Sequence, residues 1–191
     1  MKSMEKFDAE EKEMTPVLRK PDKDMEKEIT AFNEEWEKAG EKLVPYAARL
    51  RGMDFDDWLL SEKLMETEAP LGFVMASLYF LMDGERILGA IDIRHSLNEY
   101  LIGVGGHIGY GVRPSERRKG YASIMLSLAL PIAKELGLKK ILITCNKGNR
   151  ASEKTILKNG GILENEIEDG DEIVMRYWIS EDSSSIKDEL A

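Results

Sequence analysis

Cysteine and histidine are scarce in this chain: Cys145 stands alone and His95 and His107 are the two histidines among 191 residues. One cysteine excludes an intramolecular disulfide and a cysteine-rich zinc site, and with two histidines no metal centre is expected. Basic residues are outnumbered, 27 Lys and Arg against 36 Asp and Glu, for a net charge of −9. A nucleic-acid binder normally shows a basic face, so no nucleic-acid partner is expected; an acidic chain suits a cationic small partner, although many enzymes are simply acidic. Long apolar runs are missing too. No stretch approaches the ~20 residues of a membrane helix, and residues 1–13 are charged where a secretory signal needs an apolar centre. No membrane association and a cytoplasmic location are therefore expected. Residues 187–190 spell Lys-Asp-Glu-Leu, but Ala191 follows, and that retention signal is read only at the extreme C-terminus.

What is present suits one globular domain. Hydrophobic residues make up 42% of the chain, enough for a sizeable core. Residues 1–13 read as a mobile arm, 14–180 as a single domain and 181–191 as a polar tail, with no internal repeat.

Periodicity supplies the elements. Residues 15–20 suit a short first strand. Met25, Ile29, Phe32 and Trp36 recur at spacings of four, three and four, which predicts a helix over 22–39, closed by Gly40. A second helix is predicted over 54–66 with Phe55, Trp58, Leu59 and Met65 inward. The apolar block 73–82 reads as a buried strand, Asp83-Gly84 as a hairpin turn and 86–94 as the partner strand. Residues 96–106 form a loop or one helical turn. A strand over 107–113 leads to a helix over 118–136, whose apolar face is Met125, Leu128, Ala129, Ile132, Ala133 and Leu136. Gly137 ends that helix and Pro131 should bend it. Residues 141–144 look like a strand buried on both faces, 149–159 like a helix, and 162–168 with 171–179 like a closing hairpin. The unit 107–146 is β-α-β, which predicts parallel neighbouring strands and a ligand beyond their carboxyl ends.

The segment that would meet such a ligand is Arg117, Arg118, Lys119, Gly120, Tyr121 and Ala122. It follows a strand and opens a helix. Gly120 lets the backbone approach a ligand, and the first N–H groups of a helix point outward at the positive end of its dipole. With three cations nearby, this is a cradle for a diphosphate; the alternative is an ordinary basic helix start.

The run Gly-Tyr-Gly-Val-Arg-Pro-Ser-Glu-Arg-Arg-Lys-Gly-Tyr-Ala over 109–122 resembles the central motif of the GNAT acetyltransferases, Arg/Gln-x-x-Gly-x-Gly/Ala, with Arg117, Gly120 and Ala122 in its defined positions. Asn149, Ser152, Lys158 and Gly160 resemble the downstream motif of that family. The segments around 94–98, 105–110 and 176–178 are similar to a bacterial branch of predicted acetyltransferases. The resemblance covers about 73–180. It implies an α/β fold with a mixed sheet of about seven strands, helices on both faces, and central parallel strands splayed at their carboxyl ends. It implies acetyl-CoA as cosubstrate and a small-molecule or peptide amine as acceptor, attacked directly in a ternary complex. The pantetheine arm would pair with the backbone of Tyr110, Gly111 and Val112, where an N–H would hold the oxyanion, and Asn149 and Ser152 would complete the cofactor site. The alternative is a non-catalytic acyl-CoA-binding module. Oligomeric state is open, a homodimer included.

Two positions depart from the family pattern. Ile156 stands where a tyrosine often protonates the leaving thiolate, with Tyr110, Tyr121 and Tyr177 as unranked substitutes. His107 stands near the position of a carboxylate base. It is the candidate proton acceptor for the amine, weighed against a structural histidine. His95 and Asn98 could line the acceptor pocket or cap a turn. Cys145 reads as a packed thiol rather than an acyl carrier. Trp36, Trp58 and Trp178 read first as core. Asp54, Asp56, Asp57, Asp92 and Glu99 could attract a cationic amine, although most such carboxylates are solvated.

Overall fold

The computed structural model describes residues 15–180. The expected arm over 1–13 and tail over 181–191 lie outside the described residues. The elements run β1 (Val17–Arg19), α1 (Glu26–Lys38), α2 (Phe55–Met65), β2 (Ala76–Asp83), β3 (Arg86–Arg94), β4 (Ile108–Val112), α3 (Tyr121–Glu135), β5 (Lys140–Asn146), α4 (Arg150–Lys158), β6 (Ile162–Asp169) and β7 (Glu172–Ser180). This is the predicted order, and the class is α/β.

The residues whose spacing predicts α1 are the ones it buries: Met25, Ile29, Phe32 and Trp36. Asp54 opens α2 by accepting the Asp56 N–H, as an N-cap carboxylate should. Gly137, at φ +90°, closes α3: its N–H donates to Lys134 O and that of Leu138 to Ala133 O, the paired bonds of a Schellman ending. The buried residues of α3 are Met125, Leu126, Ala129 and Ala133. Leu128 and Leu136 lie at the surface, against expectation. The helix is apolar over most of its girth, so periodicity located the centre of the buried arc and missed its edge. Pro131 lies inside α3 with its ring exposed.

The seven strands form two antiparallel sheets, ordered β1-β2-β3-β4 and β5-β7-β6. The expected parallel pairing of β4 with β5 in one mixed sheet is not made among the described residues. The two sheets are joined at the start of β4, where the His107 N–H donates to Leu142 O at 2.7 Å and the Leu142 N–H donates to His107 Nδ1 at 2.9 Å. From there no ladder links the two strands, so the splay divides the sheet in two.

Side-chain alternation puts helices on both faces of the first sheet. Leu78, Phe80, Met82 and Ala90 share one core with α1 and α2, around Phe32 and Trp58. Leu81, Leu88, Ile91 and Ile93 share the other with Met125, Leu126 and Ala129 of α3, Ile156 of α4, and Ile141, Ile143 and Tyr177 of the second sheet. Phe32 and Phe80, with no exposed surface, contribute ~1.5–3 kcal/mol each to the first of these cores.

Candidate active site

The geometry of β4 organises the site. Gly109 and Gly111 face α1 and α2 because the chain at Val44-Pro45 lies against them. A Cβ on Gly111 would collide with the Val44 carbonyl oxygen, and one on Gly109 would stand 3.2 Å from Arg94 Nη2. Ile108, Tyr110 and Val112 face the opposite core. Buried Arg113 follows the strand. Its Nε donates to Glu35 at 2.6 Å, and its Nη1 donates to Glu28 and to the Ile87 carbonyl. Burial pushes the Glu35 carboxyl up, but hydrogen bonds from Arg113 and Ser115 outweigh it and hold that group down to about 2. Arg113 therefore anchors the exit of β4 to α1, a role that its place at the end of an apolar run did not announce.

A short turn over Pro114–Glu116 then delivers the chain to the start of α3. Gly120 is the N-cap at φ +87°, where an L side chain is strained, and a Cβ there would meet open space. None of the backbone N–H groups from Arg117 to Ala122 bonds another described residue. They lie just before and at the N-terminus of a helix of 15 residues. Arg118, Lys119 and Gly120 are exposed. Arg117 is held away from the cradle: its Nη1 and Nη2 donate to Glu41 at 2.8 and 2.7 Å, and its guanidinium stands 4.9 Å over the Trp36 ring. Lys119 Nζ donates to Glu116 at 2.7 Å.

Across the splay, Asn149 caps α4 by accepting the Ser152 N–H at 3.1 Å. The Ser152 hydroxyl lies 2.8 Å from Tyr110 Oη, linking α4 to β4. Burial pushes the Tyr110 phenol up to about 12, so it stays protonated. Buried Cys145 lies close by, its thiol pushed up first by burial and then by the charge of Glu153. Ile156 is fully buried in the core.

The structure thus brings Tyr110, Asn149 and Ser152 together, and sets Arg117 to Ala122 beyond the carboxyl end of β4. His107 sits at the other end of the strand. Burial, and then the charge of Arg94, push its imidazole down to about 4. Its Nδ1 lone pair, the only one a neutral ring has, is occupied by the Leu142 N–H. This geometry conflicts with the expected base and matches the structural alternative. His95 and Asn98 also lie away from the cradle. His95 Nε2 is 2.9 Å from the Ser77 hydroxyl, and Asn98 caps a turn by accepting the Leu101 N–H at 2.9 Å. Trp58 is core, its Nε1 donating to Ala47 O. Asp54, Asp56, Asp57 and Glu99 are exposed, whereas Asp92 is buried.

Among the described residues, no group of three or more His, Cys, Asp and Glu side chains could hold a metal ion. No described helix is long and apolar enough to cross a membrane.

Residues 17–162 match the family model described as Acetyltransferase (GNAT) domain. No curated protein sequence matches the chain. Among solved structures, the chain is similar to a ribosomal-protein-S5-alanine acetyltransferase from Vibrio fischeri, at 16% identity and a TM-score of 0.65 over 86% of this chain and 92% of that one. It is similar to RimL, a ribosomal L7/L12 alpha-N-protein acetyltransferase in complex with coenzyme A, at 16% identity and a TM-score of 0.63 over 89% and 97%. It is similar also to the spermidine/spermine N-acetyltransferase SpeG from Vibrio cholerae, at 16% identity and a TM-score of 0.58 over 92% and 99%.

Proposed function

The chain belongs to the GNAT acetyltransferase family, and on that premise we propose that it transfers the acetyl group of acetyl-CoA to a primary amine, by direct attack while both substrates are bound. The observation that carries the reading is the set of unpaired backbone N–H groups from Arg117 to Ala122 around Gly120, at the start of α3. Such a cradle suits a diphosphate. Arg118 adds charge to it directly, and Arg117 and Lys119 add theirs on release from Glu41 and Glu116.

The splay supports the rest. β4 is the edge strand of one sheet and β5 of the other, so both carry unpaired backbone groups past the His107–Leu142 joint. An extended pantetheine arm would pair with Tyr110, Gly111 and Val112 there, and an N–H among them would hold the oxyanion. Asn149 orients Ser152, and Ser152 orients Tyr110. The protonated Tyr110 phenol then serves the leaving thiolate, a task that the apolar Ile156 cannot perform. Direct transfer fits the buried thiol of Cys145, because a raised pKa leaves little thiolate to accept an acetyl group. The structural neighbours act on protein N-termini and on spermidine or spermine, which supports a small-molecule or peptide amine as the acceptor.

Calorimetric titration with CoA and thiol release from acetyl-CoA with an amine panel test the reading. Saturable CoA binding with amine-dependent thiol release is expected; an absence of both would remove it.

A further inference from the structure

Asp92 lies in the middle of β3, paired with Leu78 of β2 on one side and Gly109 of β4 on the other. It faces α1 and α2, like Ala90 two residues earlier. It is 6% exposed, and its Oδ1 has no hydrogen-bond partner. Its other oxygen is 3.5 Å from Arg94 Nε. Buried carboxylate oxygens without a donor are rare in native proteins, and each calls for an explanation.

The surroundings point to proton traffic. Glu62 of α2 is also buried, 3.3 Å from the Arg51 guanidinium. Burial pushes Glu62 up to about 7; Arg51 pulls it down and the charge of Asp92 pushes it further up. Burial likewise pushes Asp92 up to about 6, against the pull of Arg94. Glu62 lines a cavity of about 260 Å³ together with Lys20, Glu66 and Leu78. Leu78, Asp92 and Gly109 therefore form a row across three strands, from a residue that lines that cavity to β4. Gly109 adds no side chain to the row, and Tyr110, the next residue, faces the opposite core.

We infer that Asp92 is the catalytic residue that takes the proton from the acceptor amine, and that Glu62 relays it towards the cavity. The inference rests on the acetyl-transfer reading. An amine attacks only when neutral, so its ammonium form must first lose a proton to a free lone pair. The lone pair of His107 is taken; that of Asp92 Oδ1 is free. The ammonium gives one proton to Asp92. The amine nitrogen then forms its bond to the acetyl carbon, the carbon–sulfur bond breaks, Tyr110 Oη gives its proton to the departing thiolate, and the second nitrogen proton restores the phenol. The proton on Asp92 leaves through Glu62. The charged groups around Asp92 are Arg94 on its own strand, Glu62 with Arg51 from the α2 side, and His107 beyond Arg94 at the start of β4.

The test compares nucleophiles. Spermidine and a peptide with an N-terminal serine need deprotonation at pH 7, whereas hydroxylamine is already neutral. Asp92→Asn should lower thiol release driven by either amine by about 100-fold or more, while CoA affinity and hydroxylamine-driven release hold. Undiminished amine turnover in the variant, or an equal loss with both kinds of nucleophile, would overturn the inference. So would a wild type active with hydroxylamine and with neither amine. A wild type that neither binds CoA nor releases thiol sinks the acetyltransferase reading itself. Carbon-detected NMR of the wild-type carboxyls covers a variant that does not fold: the Asp92 signal should titrate near 6 and move when spermidine is added in the presence of CoA. A signal indifferent to the amine would count against the inference.

Discussion

His107 and Leu142 exchange two hydrogen bonds across the gap between the sheets, with imidazole Nδ1 accepting where a backbone carbonyl would accept in a ladder. The side chain thus ends strand pairing at a fixed point and sets the apex of the splay. His107→Ala leaves the Leu142 N–H buried without a partner and should cost ~1–3 kcal/mol. His107→Asn, with an amide oxygen at a similar reach, should recover most of it. Thermal unfolding of the two variants checks this. Equal loss in both would remove the acceptor role.

The same bond has a pH signature. The folded imidazole is pushed down to about 4, below its ordinary value near 6.5. Between those values the unfolded chain binds the proton more readily, so the contribution of His107 is complete above about 6.5 and falls as pH drops towards 4. Asp92 and Glu62 titrate in or near this window, so the measurable quantity is the difference between wild type and His107→Asn. That difference should shrink on acidification; a constant difference from pH 7 to pH 4 would contradict it.

Gly120 should matter more to CoA than to the fold. Its φ of +87° strains any L residue by ~1–2 kcal/mol, and the space beyond is open in the free protein. Gly120→Gln should therefore fold with slightly lower stability and bind CoA about 10-fold or more weakly, since the new side chain fills the cradle. Calorimetry on a folded variant checks it, and unchanged affinity would move the diphosphate elsewhere.

Glu41 competes with the ligand for Arg117. Both side chains are partly exposed, 45% and 37%, so the pair is screened and its own worth is small. Glu41→Gln frees the guanidinium and removes a negative charge near the cradle. CoA affinity should rise by about 2–5-fold at low salt, and the gain should fade as salt is raised. Titration at two ionic strengths decides it.

The sequence made the local structure legible wherever one period dominated. The spacing of Met25, Ile29, Phe32 and Trp36 predicted both α1 and its buried face, and Gly137 and Asn149 marked helix ends by their chemistry. The strand, the glycine and the helix from which a cradle is proposed were readable because they stand in one short stretch. What stayed hidden depends on residues far apart in the chain. Glu41 meets Arg117, and Glu28 and Glu35 meet Arg113, across tens of positions, and no local pattern announces those pairs. His107 looked like a free base because its partner, Leu142, lies in another sheet. Asp92 looked like one surface acid among several, although its pattern position inside the apolar run 87–93 was the signal for burial.

In the proposed reaction, Tyr110 and Ser152 serve the last step of transfer, departure of the thiolate. The phenol is pushed up to about 12 by burial, with the hydrogen bond to Ser152 opposing, so it remains a proton donor across the working range of pH. Tyr110→Phe keeps the ring in its core contacts and removes the proton. Turnover with an amine acceptor should fall by about 10–100-fold, below the larger effects seen where the acid is indispensable, because a thiolate is a tolerable leaving group. CoA affinity should change little, since the proposed pairing with the cofactor uses backbone at this position. Ser152→Ala should have a smaller effect, because it leaves the hydroxyl in place and loosens only its aim. Steady-state kinetics with calorimetry on both variants separates the roles. A fully active Tyr110→Phe would mean that water protonates the thiolate, whereas a matched loss of turnover and CoA affinity would mean that the ring serves only to pack β4 against α4.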